Sequence, residues 1–352
     1  MTAWPRKKIV TRLLISWEGA NVSLGWGIIG TGGFAGSATA PAIKALGSEG
    51  SLVAVVSRDR GRAEAFAQQH GAKRAYTAYA ELLRDPEVNI VYISTPNAQH
   101  AEQALAAARA GRHVLCEKPL ALTVGDARRV VEAFEAAGLK LGTHFQTRHH
   151  TAFAEVKRLL DRRAIGDVIL VQVEASSGAG PLRSWRADPA LAGLGSINNI
   201  AVHPYDLLRY LLGSEVREVM AMTDVGRSAE LERMVLALLR FQNGTMAYVN
   251  ANQKIAQYQP DIDLYGTEGR IVGIDCTRPF RDGELRVVTQ AGEQITKHSS
   301  RDAVVRSVAA FNDAVRHDRE PNPSGLDGLR NAQLTEAVVR SAREGRLVEV
   351  AY

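Results

Sequence analysis

Apolar residues in the first half of the chain fall into short continuous runs separated by polar, helix-like segments. The runs are Leu24–Ile29, Leu52–Val56, Asn89–Ser94 and Val114–Cys116. A continuous apolar run of this length is typical of a parallel strand that is buried on both faces. The segments between them predict helices over Ala38–Gly47, Gly61–His70, Ala78–Leu83 and Ala101–Ala110. This alternation predicts a parallel α/β sheet with crossover helices.

The second half has a different pattern, in which strands follow one another with few helices between them. The predicted strands are Val168–Glu174, Val216–Met222, Val235–Phe241, Thr245–Ala251, Asp261–Tyr265 and Leu285–Thr289. Asn243-Gly244 predicts a tight hairpin between two of these strands. Two helices, Ala303–His317 and Leu326–Arg343, are expected near the end of the chain. Successive strands of this kind predict a largely antiparallel open sheet, and therefore an α+β domain.

The first predicted strand ends in glycines that have the spacing of a dinucleotide-binding turn. Gly30-x-Gly32-x-x-Ala35 follows this strand and precedes a helix, which is the context that the motif requires. Gly30 allows the tight turn, Gly32 lets backbone amides approach a pyrophosphate, and Ala35 lets the helix pack closely on the strand. The helix N-terminus then faces the phosphates. The candidate cofactor-binding residues of this turn are Gly30, Thr31, Gly32, Gly33, Phe34 and Ala35.

Length and composition set the limits of the remaining analysis. A chain of 352 residues is expected to form two domains, which we assign to 24–143 (a Rossmann domain that binds NAD(P)) and 144–352 (a substrate-binding α+β domain). The net charge of +5 comes without any basic run, so nucleic acid is not an expected partner. Two cysteines provide neither a disulfide framework nor a metal site, and no apolar run is long enough to span a membrane. We expect residues 1–23 to be a disordered extension and the protein to be cytoplasmic.

The end of the second predicted strand bears on the choice of cofactor. A site selective for NAD normally has an acidic residue there, which binds the 2′-hydroxyl of the ribose. Ser57 and Arg58 stand at this position instead, and both side chains suit a 2′-phosphate. Asp59 follows directly and keeps NAD possible. The sequence therefore predicts NADP as the cofactor, with NAD as the alternative.

Polar residues also follow the next two strands. Thr95-Pro96-Asn97 and His100 come after the third strand, where the carboxyl ends of parallel strands line a ligand crevice. His100 could equally cap the helix or bond a backbone carbonyl. Glu117-Lys118-Pro119 follows the fourth strand, and the bond before the proline is a candidate for a cis peptide. An ammonium there can hold a substrate oxygen while Glu117 holds the ammonium, and a surface ion pair is the alternative interpretation.

One helix of the second half carries Asn199, His203 and Asp206 at offsets of four and three. In an α-helix these offsets put the three side chains on one face. An amide, an imidazole and a carboxylate among apolar neighbours suggest the wall of a crevice. A solvated polar stripe on an amphipathic helix is the alternative.

Taken together, these motifs resemble the glucose–fructose oxidoreductase / inositol dehydrogenase (Gfo/Idh/MocA) family. Glu117-Lys118-Pro119 after a Rossmann pattern is among that family's most specific marks, and the resemblance extends from Leu24 to Val350. It implies that His203 exchanges a proton with the substrate and works with Lys118. The chain departs from the family pattern at Asn199, where the usual residue is aspartate, and at Ala201, where it is glycine.

The resemblance implies an enzyme that transfers a hydride between NADP(H) and a hydroxyl or ketone carbon of a sugar, inositol or related polyol. The nearest subgroup in its motifs is that of the 1,5-anhydro-D-fructose reductases. Lys118, His203 and Asn199 are the expected catalytic residues, and Trp185 and Arg186 of the pocket loop are expected to bind substrate with them. Glu117 and Lys118 are also expected beside the cofactor. No metal is expected. The protein is expected to form a homodimer or a homotetramer. A regulatory protein without catalysis and an NAD-dependent glycosidase are the alternatives within the family.

Overall fold

The computed structural model describes residues 23–226, 228, 230–256, 261–277 and 280–352. The predicted extension, residues 1–23, therefore lies almost wholly outside the described residues. The first sheet has six parallel strands in the order β3-β2-β1-β4-β5-β6. Its strands are β1 (Leu24–Ile29), β2 (Gly50–Val56), β3 (Arg74–Tyr76), β4 (Ile90–Ile93), β5 (His113–Cys116) and β6 (Leu141–Thr143). Its helices are α1 (Ala40–Ala45), α2 (Arg60–His70), α3 (Tyr79–Arg84), α4 (His100–Arg109) and α5 (Val124–Ala137).

This sheet confirms the predicted Rossmann architecture. Its apolar runs are buried on both faces because helices cover each side, and the two faces belong to separate hydrophobic clusters. A helix from the far end of the chain, α9 (Ala303–Arg316), completes one of these clusters with Val308 and Phe311. The buried indole N–H of Trp26 in β1 donates to Asn312 Oδ1 at 3.1 Å, which fixes α9 against the sheet.

The second sheet has nine strands in the order β14-β13-β12-β11-β7-β10-β9-β8-β15. All neighbouring pairs are antiparallel except β7 with β10, so the predicted α+β domain is confirmed. The strands are β7 (Val168–Ser176), β8 (Val216–Thr223), β9 (Met234–Phe241), β10 (Met246–Asn252), β11 (Ile262–Gly266), β12 (Gly269–Ile274), β13 (Asp282–Thr289), β14 (Gly292–Ser299) and β15 (Val348–Glu349).

One face of this second sheet is covered by helices, and its inward residues form a third hydrophobic cluster. The helices are α6 (Thr151–Asp161), α7 (Pro189–Ala192), α8 (Val202–Leu212) and α10 (Gly325–Glu344), of which α6, α8 and α10 pack on the sheet. The opposite face carries exposed side chains along the strands. None of the described helices is long and apolar enough to cross a membrane.

Two helices of the chain begin with a wide, π-type turn shortly before a proline. One turn spans Ala35–Thr39 ahead of Pro41, and the other spans Ile197–Ala201 ahead of Pro204. Proline has no N–H and its ring clashes with the carbonyl four residues earlier, so a wider turn before it relieves the conflict. The first turn follows the glycine motif and the second leads into His203. Both irregular turns therefore lie where the chain approaches the cavity described next.

Candidate active site

A cavity of about 570 Å³ lies between the carboxyl ends of the first sheet and the helical side of the second. Twelve of the predicted site residues line it: Gly32, Gly33, Phe34, Thr95, Asn97, His100, Glu117, Lys118, Trp185, Arg186, Asn199 and His203. The remaining candidates stand outside this lining: Gly30, Thr31, Ala35, Ser57, Arg58 and Pro96. The structure thus brings together residues that are far apart in the sequence.

The glycine turn has the shape that a dinucleotide needs. Gly30 has a φ of +101°, and a Cβ at this position would meet the Ser94 carbonyl oxygen at 2.5 Å. By contrast, a Cβ on Gly33 would have no atom within 4 Å, and one on Gly32 only the Ser94 oxygen at 4.0 Å. Both glycines line the cavity, so the open space beside them is available to a pyrophosphate. The residues present therefore fit a bound dinucleotide.

The residues that bear on the choice of cofactor lie between the end of β2 and the start of α2. Asp59 is the N-cap of α2, and its carboxylate accepts the backbone N–H of Arg62 at 2.7 Å. Ser57 is almost buried at the end of β2, and Arg58 is exposed beside it. The acidic side chain nearest to this strand end is thus engaged in capping its own helix.

His100 bonds the backbone, as its alternative interpretation predicted. Its Nδ1 lies 2.7 Å from the carbonyl oxygen of Pro119, and its Nε2 lies 3.0 Å from that of Thr95. Burial lowers the pKa of His100, so the ring is neutral and donates one N–H. The shorter contact, from Nδ1 to Pro119, ties the start of α4 to the Lys118-Pro119 turn, whose peptide bond is cis. A direct contact between His100 and the cofactor stays a prediction.

Two side chains, from the strands on either side of β5, converge on the carboxylate of Glu117. The Tyr92 hydroxyl of β4 donates to Glu117 Oε1, and His144 Nδ1, just after β6, lies 2.8 Å from the same oxygen. His144 Nδ1 also lies 3.0 Å from the Tyr92 hydroxyl. Burial alone would raise the pKa of Glu117, but the hydrogen bond and charge of His144, the charge of Lys118 and the Tyr92 hydrogen bond lower it to about 2. Glu117 is therefore a fixed negative charge beside Lys118.

Lys118 reaches across the cavity to the second domain. Its Nζ donates to the backbone carbonyl of Asn199 at 2.7 Å. In the wide turn a carbonyl pairs with the N–H five residues later, as Ile197 does with Val202, but for Asn199 that residue is Pro204, which has no N–H. Burial lowers the pKa of Lys118 to about 8, although the charge of Glu117 acts in the opposite direction.

His203 lies in the same wall as Asn199, one turn further along the chain. Its Nδ1 is 3.4 Å from the Thr147 hydroxyl, and its ring meets Phe145 edge-on. Burial lowers the pKa of His203 well below its usual value, and the positive charge of Lys118 adds to this effect. The imidazole is therefore neutral at physiological pH. The cavity thus contains the ammonium of Lys118 and the neutral imidazole of His203, close enough for the charge of one to affect the pKa of the other.

The prediction that Asp206 shares this crevice is wrong. Its two carboxylate oxygens accept Arg148 Nε at 2.8 Å and Nη2 at 2.5 Å, and it does not line the cavity. Arg148 also binds Asp327 at the start of α10 and Asn322 before it. His203 and Asp206 both belong to α8, but Asp206 lies almost one turn further along the helix, where the buried guanidinium of Arg148 binds its carboxylate. Asp206 helps to join α8, α10 and the segment after β6.

The sequence reasoning missed several residues of the site. Tyr92 and His144 hold Glu117, while Gln146, Thr147 and His150 line the cavity. The rule that ligands bind at the carboxyl ends of parallel strands would have found those of the segment that follows β6. A tyrosine within an otherwise apolar buried strand is a further signal, because its hydroxyl needs a partner. Among the described residues, no group of His, Cys, Asp and Glu could hold a metal ion.

Comparison with known proteins agrees with this geometry. Residues 24–145 match the model of the oxidoreductase family with an NAD-binding Rossmann fold, and residues 153–272 match that of the GFO/IDH/MocA C-terminal domain. The chain is 34% identical to the 1,5-anhydro-D-fructose reductase of Ensifer adhaerens, over 92% of this chain and 98% of that one. The aldose-aldose oxidoreductase of Caulobacter crescentus, solved with glycerol, is 28% identical with a TM-score of 0.86, over 93% of this chain and 100% of that one. A levoglucosan dehydrogenase solved with NADH and levoglucosan is 26% identical, also with a TM-score of 0.86, over 94% and 99% of the two chains.

The chain therefore belongs to the Gfo/Idh/MocA family of NAD(P)-binding oxidoreductases. It is an NAD(P)-dependent dehydrogenase or reductase that acts on CH–OH groups, so the expectation of an enzyme is confirmed. The family resemblance inferred from Glu117-Lys118-Pro119 and the glycine turn is confirmed as well.

The environment of Lys118 predicts how its amine titrates. We expect labelling by trinitrobenzenesulfonate, followed at Lys118 by peptide mass spectrometry, to be half-maximal near pH 8, because only the neutral amine reacts. In Glu117→Gln the midpoint should fall further, since the lost carboxylate raises the pKa of Lys118 in the wild type. Glu102→Gln, on the surface of α4, is the matched control and should leave the midpoint unchanged. A midpoint above pH 10, or one that Glu117→Gln does not move, would contradict this assignment.

Proposed function

We propose that the chain transfers a hydride between NADP(H) and a hydroxyl- or ketone-bearing carbon of a sugar, inositol or related polyol. The first candidate substrate is 1,5-anhydro-D-fructose. The observation that carries this proposal is the pairing of Lys118, with a pKa of about 8, and a neutral His203 on facing sides of one cavity. A protonated ammonium and a neutral imidazole that coexist at neutral pH suit the acid and base of one reaction.

The proposed roles of Lys118 and His203 follow from their protonation states. An ammonium has three N–H donors, of which Lys118 uses one on the Asn199 carbonyl, so donors remain for a substrate oxygen. In alcohol oxidation, His203 accepts the hydroxyl proton through its unprotonated nitrogen while Lys118 holds the oxygen. In ketone reduction, His203 returns that proton and Lys118 polarises the carbonyl. The bound nicotinamide supplies the hydride chemistry.

Asn199 and the pocket loop complete the proposed substrate site. The Asn199 backbone, rather than its side chain, makes the contact with Lys118. Its side-chain amide lines the cavity, where it suits a sugar hydroxyl. Arg186 lies over the indole ring of Trp185 at 4.4 Å, and both residues line the cavity. An aromatic ring and flanking donors are typical of a surface that binds a small sugar ring and its hydroxyls.

The cofactor that we favour is NADP. Support comes from Asp59, whose carboxylate is engaged as a helix cap and is poorly placed to bind a 2′-hydroxyl. Ser57 and the exposed Arg58 are then the groups beside the adenosine ribose, where a guanidinium suits a phosphate. The solved levoglucosan dehydrogenase holds NADH, so the fold alone does not select NADP, and the preference rests on residues such as these.

We also propose that the open face of the nine-stranded sheet joins two copies of the chain. Large apolar side chains on this face are exposed, with Met222 at 68%, Leu238 at 58% and Met246 at 46%. They stand on the adjacent strands β8, β9 and β10, and Leu238 is directly opposite Tyr248 in the register. Exposed large apolar side chains grouped in this way are typical of a protein interface.

The catalytic proposal predicts the behaviour of two variants. Wild-type protein should turn over members of a panel of ketoses with NADPH, or of polyols with NADP⁺, as followed by absorbance at 340 nm. Lys118→Met and His203→Phe should each lower kcat/KM by about 100-fold or more, the effect of losing a positioned proton-transfer or charge-stabilising group. Arg109→Ala, at the end of α4 and outside the cavity lining, is the surface control. Near-full turnover by either site variant would refute its assigned role.

The cofactor proposal predicts a selective loss of affinity. Arg58→Ala should weaken the binding of NADPH by about tenfold, because it removes one charge-assisted hydrogen bond from a phosphate. Its effect on NADH should be small, because NADH has no 2′-phosphate. The fluorescence of the bound reduced nicotinamide measures both constants, and Arg109→Ala again serves as the control. Equal binding of NADPH by wild type and Arg58→Ala would overturn the preference.

The interface proposal predicts that a charge on the open face of the second sheet will lower the mass of the assembly in solution. Leu238→Glu places a charge at the centre of the exposed apolar face and should convert the oligomer to a monomer in sedimentation velocity. Leu326→Glu is the matched control, since Leu326 is similarly exposed, at 47%, but lies at the start of α10. A wild-type chain that sediments as a monomer, or an oligomer that persists in Leu238→Glu, would contradict this interface.

A further inference from the structure

The segment that follows β6 forms one wall of the cavity beside His203. Gln146, Thr147 and His150 line the cavity, and the Thr147 hydroxyl is 3.4 Å from His203 Nδ1. Arg148, between them, is bound by Asp206 on the other side of the segment. That buried ion pair anchors the segment on the side that faces away from the cavity. Gln146 and His150 therefore lie on an anchored segment next to the proposed proton-transfer residue.

His150 has a defined tautomer and a nitrogen without a partner. The side chain is 1% exposed, and its Nδ1 accepts the backbone N–H of Ala152 at 2.9 Å as the N-cap of α6. Burial lowers the pKa of His150 to about 4, and the charges of His298 and Arg306 add to this effect. The ring is thus neutral and carries its proton on Nε2. This Nε2–H has no hydrogen-bond partner among the residues that the structure describes.

Gln146 presents the complementary group. Its side chain is 9% exposed, and Oε1 likewise has no hydrogen-bond partner among the described residues. A buried polar atom without a partner costs free energy comparable to a lost hydrogen bond, and each such atom in a folded protein calls for an explanation. Here a donor and an acceptor without partners stand on one short segment of a cavity wall.

We propose that Gln146 and His150 form a subsite that binds a hydroxyl group of the substrate, on a carbon other than the one that reacts. A hydroxyl both donates and accepts, so one group donates to Gln146 Oε1 and accepts from His150 Nε2–H. A carboxylate or phosphate would satisfy only His150, and an apolar group would satisfy neither. The subsite thus selects polyhydroxylated substrates over simple alcohols and ketones. This inference rests on the proposed function and adds two specificity-determining residues to it.

Two conservative variants test the subsite. Gln146→Met keeps the length of the side chain and removes its polar atoms. His150→Asn keeps an oxygen that caps α6 and removes the Nε2–H. For the ketose or polyol that wild type turns over best, each variant should raise KM at least tenfold with a smaller change in kcat. Each should also lose the wild-type preference for that substrate over its analogue without the bound hydroxyl, found by testing the monodeoxy analogues in turn.

Cofactor binding serves as the internal control, because a ribose also carries hydroxyls. The Kd for NADPH should stay within twofold of the wild-type value in both variants. A Kd that rises as much as KM would assign these groups to the cofactor and overturn the proposal. Unchanged KM and unchanged preference in both variants, with active wild type, would overturn it as well and leave the proposed function intact.

Calorimetry distinguishes failure of the subsite from failure of the proposed function. Panel polyols are titrated into wild-type protein saturated with NADPH, in which no reaction occurs. Binding that is weakened at least tenfold in Gln146→Met and His150→Asn supports the subsite even if no turnover is found. The absence of any polyol binding to wild type would overturn the subsite together with the proposed function.

Discussion

The hydrogen bond from Lys118 Nζ to the backbone carbonyl of Asn199 is the contact on which the site depends. Lys118 follows strand β5 of the first sheet, and Asn199 lies in the turn that leads into α8 on the second. Pro204 cannot supply the N–H that a turn of this width would bring to the same carbonyl. Two halves of the chain, 81 residues apart in sequence, thus meet at one ammonium in the wall of the cavity.

The surroundings of this ammonium determine what the cavity can do. Tyr92 and His144 hold Glu117 as a carboxylate, and its charge keeps Lys118 protonated at neutral pH in spite of burial. The same burial, together with the charge of Lys118, keeps His203 neutral. A donor and an acceptor of protons therefore coexist within one site. Neither group would have this protonation behaviour if the two domains were separated.

Much of this arrangement could be predicted from the sequence, where local pattern and spacing determine structure. Continuous apolar runs predict buried parallel strands, and the glycine turn and Glu117-Lys118-Pro119 lie at strand ends, which meet along one edge of the sheet. Strand β14 was not predicted, because most of its side chains are exposed on both faces and leave no apolar alternation to read. The position of Asp206 was predicted wrongly, because its carboxylate binds Arg148, a residue of a distant segment that helix periodicity does not reveal. The roles of His144, Gln146 and His150 depend on contacts between distant segments, which no local pattern encodes.

The central claim is that this cavity moves a hydride between a nicotinamide and a carbon that bears oxygen in a polyhydroxylated substrate. Its most direct test uses NADPH carrying deuterium at the transferable position of C4, incubated with the wild-type chain and a panel of ketoses that includes 1,5-anhydro-D-fructose. We predict that mass and NMR spectra of at least one product will show deuterium on the new carbinol carbon. Tight binding of NADPH with no deuterium in any product would contradict the account.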